Sequence, residues 1–286
     1  MATPEAEIDV FPGGNHSVND SNSTSFGSAF WLDWVNNDQL VVSRDDYSGI
    51  QLLSPGSGQR TTLLSGSEVQ VYDIDRCGPA AVVFTGGPNK GGSVTNVYAL
   101  DLAGGSPRQV TSENVDQFQR CTPDGKELIY YGFEDSAIHK MPLQGGKSEM
   151  LVSHDRHPDD QFSITPDGKE LVVLMRASGK ESQEFDFVSI ESGQITKRIP
   201  AGESARGALI MPDGQNIAFV IHERGVDNLW LQPVAGGSPQ RLTDFHLARS
   251  TSQSIQSYAW SPDGKHLAMT RRLSKGDVVL LQDQNK

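Results

Sequence analysis

The chain has 286 residues and a net charge of −12, with 36% apolar and 21% charged residues. These values are typical of an ordinary globular protein. The acidic balance argues against nucleic-acid binding, because phosphate backbones repel a negative surface. The sequence has no apolar run long enough to span a bilayer, so we expect no direct insertion into a membrane.

Residues 1–27 are rich in Ser, Asn and Gly and form a lead-in to the repeated part of the chain. The first residues, MATPEAEIDVFPGG, lack a basic stretch followed by an apolar one, so no secretory signal is visible. AEIDVF at 6–11 is a candidate strand within this lead-in. The alternative is that the whole segment is disordered.

Two weak copies of a repeated phrase come next along the chain. VNNDQLVVS at 35–43 has Asn-Asn-Asp where later copies have Pro-Asp-Gly, and RCGPAAVVF at 76–84 keeps a Gly and an apolar tail. Cys77 and Cys121, the two cysteines, lie in neighbouring copies. We expect them to be two buried or half-buried thiols, with a single disulfide as the alternative, and to form no metal site.

Four clear copies of the phrase begin with a Pro-Asp-Gly turn and continue into an apolar run. The spacings between their aspartates are 43, 46 and 50 residues, for Asp124, Asp167, Asp213 and Asp263. Pro presets a backbone dihedral of the turn, Asp caps backbone amides, and Gly adopts the left-handed position. The runs that follow, such as LIYY and LVVLM, are short and rich in β-branched and aromatic residues, so they predict buried strands.

A second phrase supplies another apolar run and, in all units but the last, a Gly-rich turn. Each unit therefore predicts four short antiparallel strands, termed a to d. Six units of about 40 residues predict an all-β, six-bladed β-propeller over residues 28–286. The last unit ends at DVVLLQDQNK, 277–286, without a strand d. We predict that residues 6–11 supply it, because an open sheet edge invites aggregation.

The Pro-Asp-Gly phrase and the pattern LW-x5-GG-x4-LT, found in NLWLQPVAGGSPQRLT at 228–243, resemble the TolB-type, WD40-like propeller repeat. The Gly-His and Trp-Asp pairs of WD-repeat proteins are absent. Residues 257–281 are similar to the C-terminal propellers of bacterial Ser/Thr kinases and winged-helix regulators. This resemblance implies a bacterial sensor domain for a protein, peptide or envelope ligand. It would be periplasmic if a membrane helix anchored the chain, and cytoplasmic otherwise.

The connections between strands separate scaffold from candidate site. The repeated a–b and c–d turns project from one face of the predicted ring, whereas the b–c and d–a connections vary and project from the other, the variable-loop face. Binding residues concentrate on such loops. The candidate ligand- or partner-binding residues are His154, Asp155, Arg156, His157, Asp159, Asp160, Arg206, His222, Arg224, Asp227, His246 and Arg249.

The densest cluster of these residues is SHDRHPDD at 153–160. Imidazole and carboxylate groups suit a divalent metal ion, and this cluster carries the alternative hypothesis of a small lyase- or hydrolase-type enzyme. The sequence has no Gly-x-Ser-x-Gly elbow, P-loop or kinase motif, which favours a non-catalytic, monomeric binding module without a cofactor. We assign Trp31, Trp34, Trp230 and Trp260 to the core rather than to a ligand platform.

Overall fold

The computed structural model describes residues 6–12, 18–19, 22–66, 69–88, 94–112, 116–176, 183–202, 204–246 and 251–275. This part of the chain consists almost entirely of strands and turns, with a short 3-10 turn at His154–Arg156. The predicted all-β class is therefore confirmed. None of the described helical residues forms a segment with the length and apolar character needed to cross a membrane.

Four of the sheets each contain four consecutive antiparallel strands. The first contains β3 (Leu32–Asn36), β4 (Gln39–Ser43), β5 (Gly49–Ser54) and β6 (Gln59–Ser65). The second contains β7 (Val69–Cys77), β8 (Ala81–Pro88), β9 (Asn96–Asp101) and β10 (Arg108–Gln109). The third contains β11 (Asp116–Cys121), β12 (Glu127–Gly132), β13 (Ala137–Pro142) and β14 (Glu149–Val152). The fourth contains β15 (Pro158–Ile164), β16 (Glu170–Met175), β17 (Gln183–Ser189) and β18 (Ile195–Gly202).

The fifth sheet is larger, with eight strands in two sets of four. One set is β19 (Ala205–Ile210), β20 (Asn216–Glu223), β21 (Val226–Pro233) and β22 (Gln240–Arg241). The other is β23 (Thr251–Trp260), β24 (His266–Lys275), β1 (Ala6–Pro12) and β2 (Thr24–Ser28). Within each set the strands are antiparallel, and the two sets meet through one parallel pair, Val226 opposite Gln253.

The Pro-Asp-Gly turns have the local structure that their sequence predicts. In the turn before β12, Asp124 Oδ1 accepts hydrogen bonds from Thr122 Oγ1 at 2.8 Å and from the Lys126 amide at 3.1 Å. Gly125 has φ +72°, the left-handed conformation that favours glycine. The same bond recurs in the next Pro-Asp-Gly turn, where the Lys169 amide donates to Asp167 Oδ1. The repeat therefore encodes a scaffold corner.

The N-terminal segment pairs with the last described strand of the chain, but not in the predicted position. β1 is antiparallel to β24 from Ala6 opposite Arg272 to Pro12 opposite His266. β1 therefore occupies the third position of its set, and β2 occupies the fourth. The sequence predicts that the segment 277–286 contains the third strand of this set and that 6–11 form the fourth. That predicted third strand lies outside the described residues.

Hydrophobic packing connects each four-strand set to the next. The described residues contain six clusters of buried side chains, and each lies between two successive sets, with the last set packing on the first. Phe185 of β17 and Phe219 of β20 illustrate this packing, with ring centroids 5.5 Å apart. A unit with two apolar faces is therefore covered on both sides by its neighbours.

Cys77 and Cys121 form a disulfide, so the expectation of two free thiols is wrong. Cys77 ends β7 and Cys121 ends β11, and their Cα atoms are 5.0 Å apart. The innermost strands of the second and third sheets end side by side at the same face of the ring, which brings the two sulfurs together. The 44-residue spacing does not reveal this proximity on its own.

Candidate functional site

The first strands of the six sets (β3, β7, β11, β15, β19 and β23) surround a central cavity. Its volume is about 80 Å³, and each strand or the residue just before it contributes to the wall, as shown by Trp31, Asp73, Phe118, Gln161, Leu209 and Tyr258. A second space of about 250 Å³ lies nearer the Pro-Asp-Gly turns and is lined by later residues of the same strands. The smaller space, here called the central cavity, therefore lies on the side of the variable-loop face.

Arg120 separates the two spaces and is the centre of a charge cluster with Asp33, Asp73 and Asp75. Arg120 Nη1 lies 3.6 Å from Asp73 Oδ2, and Arg120 Nε lies 4.0 Å from Asp75 Oδ1. The guanidinium also donates to the carbonyl oxygens of Gln119 at 2.7 Å and Phe162 at 3.1 Å. One cation thus faces three carboxylates and shares its N–H groups with the backbone.

The carboxylates of this cluster differ in how they are satisfied. Asp33 Oδ2 accepts the Arg76 amide at 2.7 Å, and Asp75 Oδ2 accepts the Cys121 amide at 3.1 Å, so both link neighbouring sheets. Asp73 Oδ1 accepts the Ile74 amide at 2.9 Å, whereas its buried Oδ2 accepts no hydrogen bond from the described residues. Burial raises the pKa of Asp73 to about 6, and Arg120 offsets only part of that effect.

Aromatic side chains lie along one side of the central cavity, at the first three sheets, where Trp31 and Phe118 line it. Successive ring contacts connect these residues, here called the aromatic belt: Phe30, Trp31, Tyr47, Tyr72, Phe118, Tyr131 and Phe133. The ring of Trp31 lies 6.3 Å from that of Phe118 in an edge-on arrangement, and Phe118 lies 6.1 Å from Phe133. Phe133 is 39% exposed, so the belt reaches the surface.

Two members of the belt have an unfavourable backbone. Tyr47 has φ 60° and Phe118 has φ 50°, in the left-handed region that bulky side chains rarely adopt. Phe118 lies in an irregularity of β11, where pairing with β12 shifts between Gln117 and Arg120. Such strain costs on the order of 1–3 kcal/mol per residue and is typical of functional sites. At Phe118 the irregularity turns an aromatic ring toward the central cavity.

The opposite half of the variable-loop face brings together three of the predicted charged residues. Asp227 is fully buried, and its Oδ1 accepts hydrogen bonds from Arg206 Nη2 at 2.7 Å and from His222 Nδ1 at 2.6 Å. Its Oδ2 accepts the Ile255 amide at 2.9 Å. Ile255 belongs to β23 and Asp227 to β21, so this carboxylate joins the two sets of the eight-stranded sheet.

The predicted His/Asp cluster is divided among separate ion pairs. His154 pairs with Asp155 at 2.9 Å, and both side chains are largely exposed. Arg156 points elsewhere, to Asp186 at 3.1 Å. His157 is exposed at the end of the 3-10 turn with φ 49°. These residues therefore share a loop without converging on a common point.

Asp159 and Asp160 begin the fourth sheet beside the central ring. Arg176 Nη2 pairs with Asp159 Oδ2 at 2.8 Å, and the Gln161 amide donates to Asp159 Oδ1 at 3.0 Å. Burial and, next, the neighbouring Asp159 carboxylate raise the pKa of Asp160 to about 7. Asp159 is thus held in an ion pair, whereas Asp160 favours its neutral form.

The other predicted residues are scattered. Arg224 is exposed in the β20–β21 turn with φ 51°, His246 pairs with Asp244 at 3.0 Å, and Arg249 lies outside the described residues. Across the described ranges, no three His, Cys, Asp or Glu side chains are grouped as a metal ion would require.

The sequence prediction missed the aromatic belt and the buried charge cluster. Trp31, which the sequence assigns to the core, packs against a core cluster but is only half-buried and also lines the central cavity. Belt residues are spread over about a hundred positions, some within strands (Tyr72, Phe118 and Tyr131) and the others in connections, so no single sequence period links them. A usable signal was the row of acidic residues in the first strands, including Asp73 and Asp75, where a buried strand should be apolar.

Comparison with other proteins supports a TolB-like architecture. No family model matches the chain. An uncharacterised protein of Agrobacterium fabrum is 28% identical over 61% of this chain and 61% of its own length. The Tol-Pal system protein TolB of Anaeromyxobacter dehalogenans is 30% identical over 35% of this chain and 22% of its own length. The chain thus spans about six tenths of the first relative and about a fifth of the second.

Solved structures resemble this one over most of its length. A protein of Agrobacterium tumefaciens assigned as TolB has a TM-score of 0.75 and 18% identity, covering 96% of this chain and 100% of its own. TolB of Acinetobacter baumannii has a TM-score of 0.61 and 15% identity, covering 84% and 67%. An oligogalacturonate lyase in complex with manganese has a TM-score of 0.61 and 12% identity, covering 88% and 80%. At these identities the likeness concerns the fold, which is a TolB-like β-propeller.

Proposed function

We propose that this chain is a six-bladed β-propeller that binds a protein or peptide at its variable-loop face and performs no catalysis. To reach six blades, we divide the eight-stranded sheet into two blades. These two blades are joined by the single Val226–Gln253 pair. Six hydrophobic clusters between successive four-strand sets support this division, because a ring of six blades has six such interfaces.

The observation that carries the binding function is the aromatic belt along one side of the central cavity. Aromatic side chains dominate binding energy at protein interfaces, especially where they are surrounded by a polar rim. Here the strained residues Tyr47 and Phe118 hold two of the rings in place. The predicted charged residues, among them Arg206 and His222, form the rim in this proposal.

The proposed partner class rests on the named relatives, and the proposed compartment rests on the disulfide. Several curated relatives are named as TolB of a Tol-Pal system, which favours a role within a multi-protein system. The Cys77–Cys121 disulfide favours an oxidising compartment, since reducing compartments keep thiols free. We therefore propose an extracytoplasmic sensor or interaction domain of a bacterial signalling or envelope protein.

The alternative, a lyase- or hydrolase-type enzyme with a divalent metal, has no specific observation in its favour. His154 and His157 are exposed on one loop, and the likeness to a manganese-containing lyase is one of fold. Calorimetric titration with Mn²⁺, Zn²⁺ or Ca²⁺ tests this alternative. We expect no binding with micromolar affinity; such binding, lost in His154→Ala, would favour the enzyme.

Selection from a random peptide display library tests the proposed function. We expect wild-type protein to enrich peptides whose binding is lost on Trp31→Ala. Met150→Ala is the matched control, because Met150 is 54% exposed on the outermost strand of its sheet and lies away from the belt. Enriched peptides that bind Trp31→Ala as well as wild type would contradict the proposal.

A further inference from the structure

The central cavity has a chemical character that specifies what kind of side chain could enter it. Its upper wall contains the rings of Trp31 and Phe118, and its base contains carboxylates and Arg120. A volume of about 80 Å³ equals that of roughly two or three water molecules. This space accommodates the end of one long side chain and excludes a folded domain.

The base of the cavity has more negative than positive charge. Asp33, Asp73 and Asp75 face one guanidinium, that of Arg120, and no other Lys or Arg among the described residues lines this cavity. A buried carboxylate is costly unless it is paired and hydrogen-bonded. The cluster therefore has fewer positive groups than its three carboxylates would need for pairing.

An additional positive group would lie next to Asp73. Its side chain is only 7% exposed and lines the cavity, and its Oδ2 accepts no hydrogen bond from the described residues. The nearest cation, Arg120 Nη1, lies 3.6 Å away and donates to the Gln119 carbonyl oxygen instead. A buried acceptor without a donor is rare and favours a ligand that supplies one.

We propose that the central cavity binds a lysine or arginine side chain of the partner, with its cationic end at Asp73 and its aliphatic stem against the Trp31 and Phe118 side chains that line the cavity. This inference rests on the proposed function and specifies the partner's chemistry. A cation beside an aromatic face gains further stabilisation, which the belt provides. The net charge of −12 attracts a basic partner over a longer distance.

An organic cation fits the cavity better than a metal ion does. The described residues contain no group of three metal-ligating side chains, and Asp33 and Asp75 already use oxygens to bind amides of neighbouring sheets. A rigid ring of carboxylate oxygens is therefore lacking. An ammonium or guanidinium group needs only one free acceptor and the surrounding negative field.

A small probe tests the cavity independently of any partner. n-Butylammonium carries the charge and stem of lysine, and 1-butanol is its neutral counterpart. We expect butylammonium to change the indole NMR signal of Trp31 saturably in wild type, and at least tenfold more weakly in Asp73→Asn. Asp186→Asn is the matched control, because Asp186 is also buried and carries an oxygen without a hydrogen bond, but does not line the cavity. Equal responses to butylammonium and butanol, or a response only to a divalent metal ion, would overturn the inference.

Peptides from the display selection separate this inference from the proposed function. One enriched peptide is compared with its lysine-to-norleucine analogue by calorimetry on wild type and Asp73→Asn. We expect norleucine to weaken binding at least tenfold on wild type and to have little effect on Asp73→Asn. Peptides that need Trp31 but are indifferent to both changes would overturn the inference and retain the proposed function. Failure to enrich any belt-dependent peptide would count against the proposed function, while the butylammonium result still decides the inference.

Discussion

The two halves of the variable-loop face differ in how their central buried carboxylates are satisfied. Around β21 and β23, Asp227 at the centre of the charged half accepts hydrogen bonds from Arg206, His222 and the Ile255 amide. Around β3, β7 and β11, the aromatic half contains rings at strained positions and a carboxylate oxygen without a donor. Asp227 therefore stabilises the fold, whereas Asp73 in the aromatic half keeps a costly unsatisfied oxygen that a ligand would use.

The largest expected effect on stability comes from removing the Cys77–Cys121 disulfide, which lies next to the aromatic half. Cys121 ends the strand that holds Phe118 and Arg120, and it is bonded to a cysteine 44 residues earlier. Closing a loop of this length stabilises a fold by about 4 kcal/mol through the entropy of the unfolded chain. Replacing both cysteines by alanine should lower the free energy of unfolding by about that amount in urea titrations. Wild type with a reductant serves as the control, and no change in either sample would show that the sulfurs are not bonded.

The charged half should respond to loss of its central carboxylate. Asp227→Ala leaves Arg206, His222 and a buried amide without their acceptor, so we expect the free energy of unfolding to fall by about 3 kcal/mol. Binding by molecules that remain folded should be unchanged. Asp227→Asn keeps an acceptor for the amide and should cost less. A stable Asp227→Ala variant that lost binding would reverse the roles of the two halves.

Asp73 in the aromatic half should behave in the opposite way. Its pKa is raised to about 6 by burial, against about 4 in an unfolded chain, so folding favours its protonated form. Its contribution to stability is therefore present below about pH 4 and is lost as pH rises to about 6, a change of about 3 kcal/mol. Asp33, Asp75 and Arg120 face the same carboxylate and modulate the size of this change.

Asp73→Asn isolates this contribution. We expect the variant to become more stable than wild type as pH rises from 4 to 6, with the difference levelling off above about pH 6. Exposed carboxylates with a lowered pKa, such as Asp124, act in the other direction but equally in both proteins. Urea unfolding at several pH values measures the difference. A difference that does not depend on pH would show that Asp73 is not destabilised in the folded protein.

The smallest effect should come from the loop that carries the alternative hypothesis of a metal site. His154 is 61% exposed and pairs with Asp155, which is 80% exposed. Exposed ion pairs contribute at most about 1 kcal/mol and often nothing. His154→Ala should change neither thermal stability nor peptide binding measurably. Loss of binding in this variant would move the site from the aromatic belt to this loop.

The sequence predicted the scaffold well because the scaffold repeats. Asp124 and its counterparts form the same turn in successive units, so the strand order within a unit could be inferred from one phrase. The predicted position of β1 was wrong, because the apolar pattern of this segment does not reveal which strand it will pair with. The pairing of β1 with β24 joins the two ends of the described chain, and no local pattern in the sequence specifies such a distant contact.

The candidate site could be predicted only in part, because it depends on contacts across blades. The sequence identified Arg206, His222 and Asp227 as polar loop residues but not that they bind one another. Trp31 and Phe118 are 87 positions apart and meet only because their strands line one cavity. Single-sequence patterns report local geometry, so a site assembled from six strands leaves no contiguous motif.

The most direct test of this division is a comparison of two variants, one from each half, with a single peptide. The peptide is the one most enriched on wild type, and surface plasmon resonance measures its affinity for Phe118→Ala and His222→Ala. We predict that Phe118→Ala weakens binding at least tenfold, about 1.4 kcal/mol, and that His222→Ala changes it less than about threefold. Retained affinity in Phe118→Ala together with loss in His222→Ala would contradict the assignment of binding to the aromatic half.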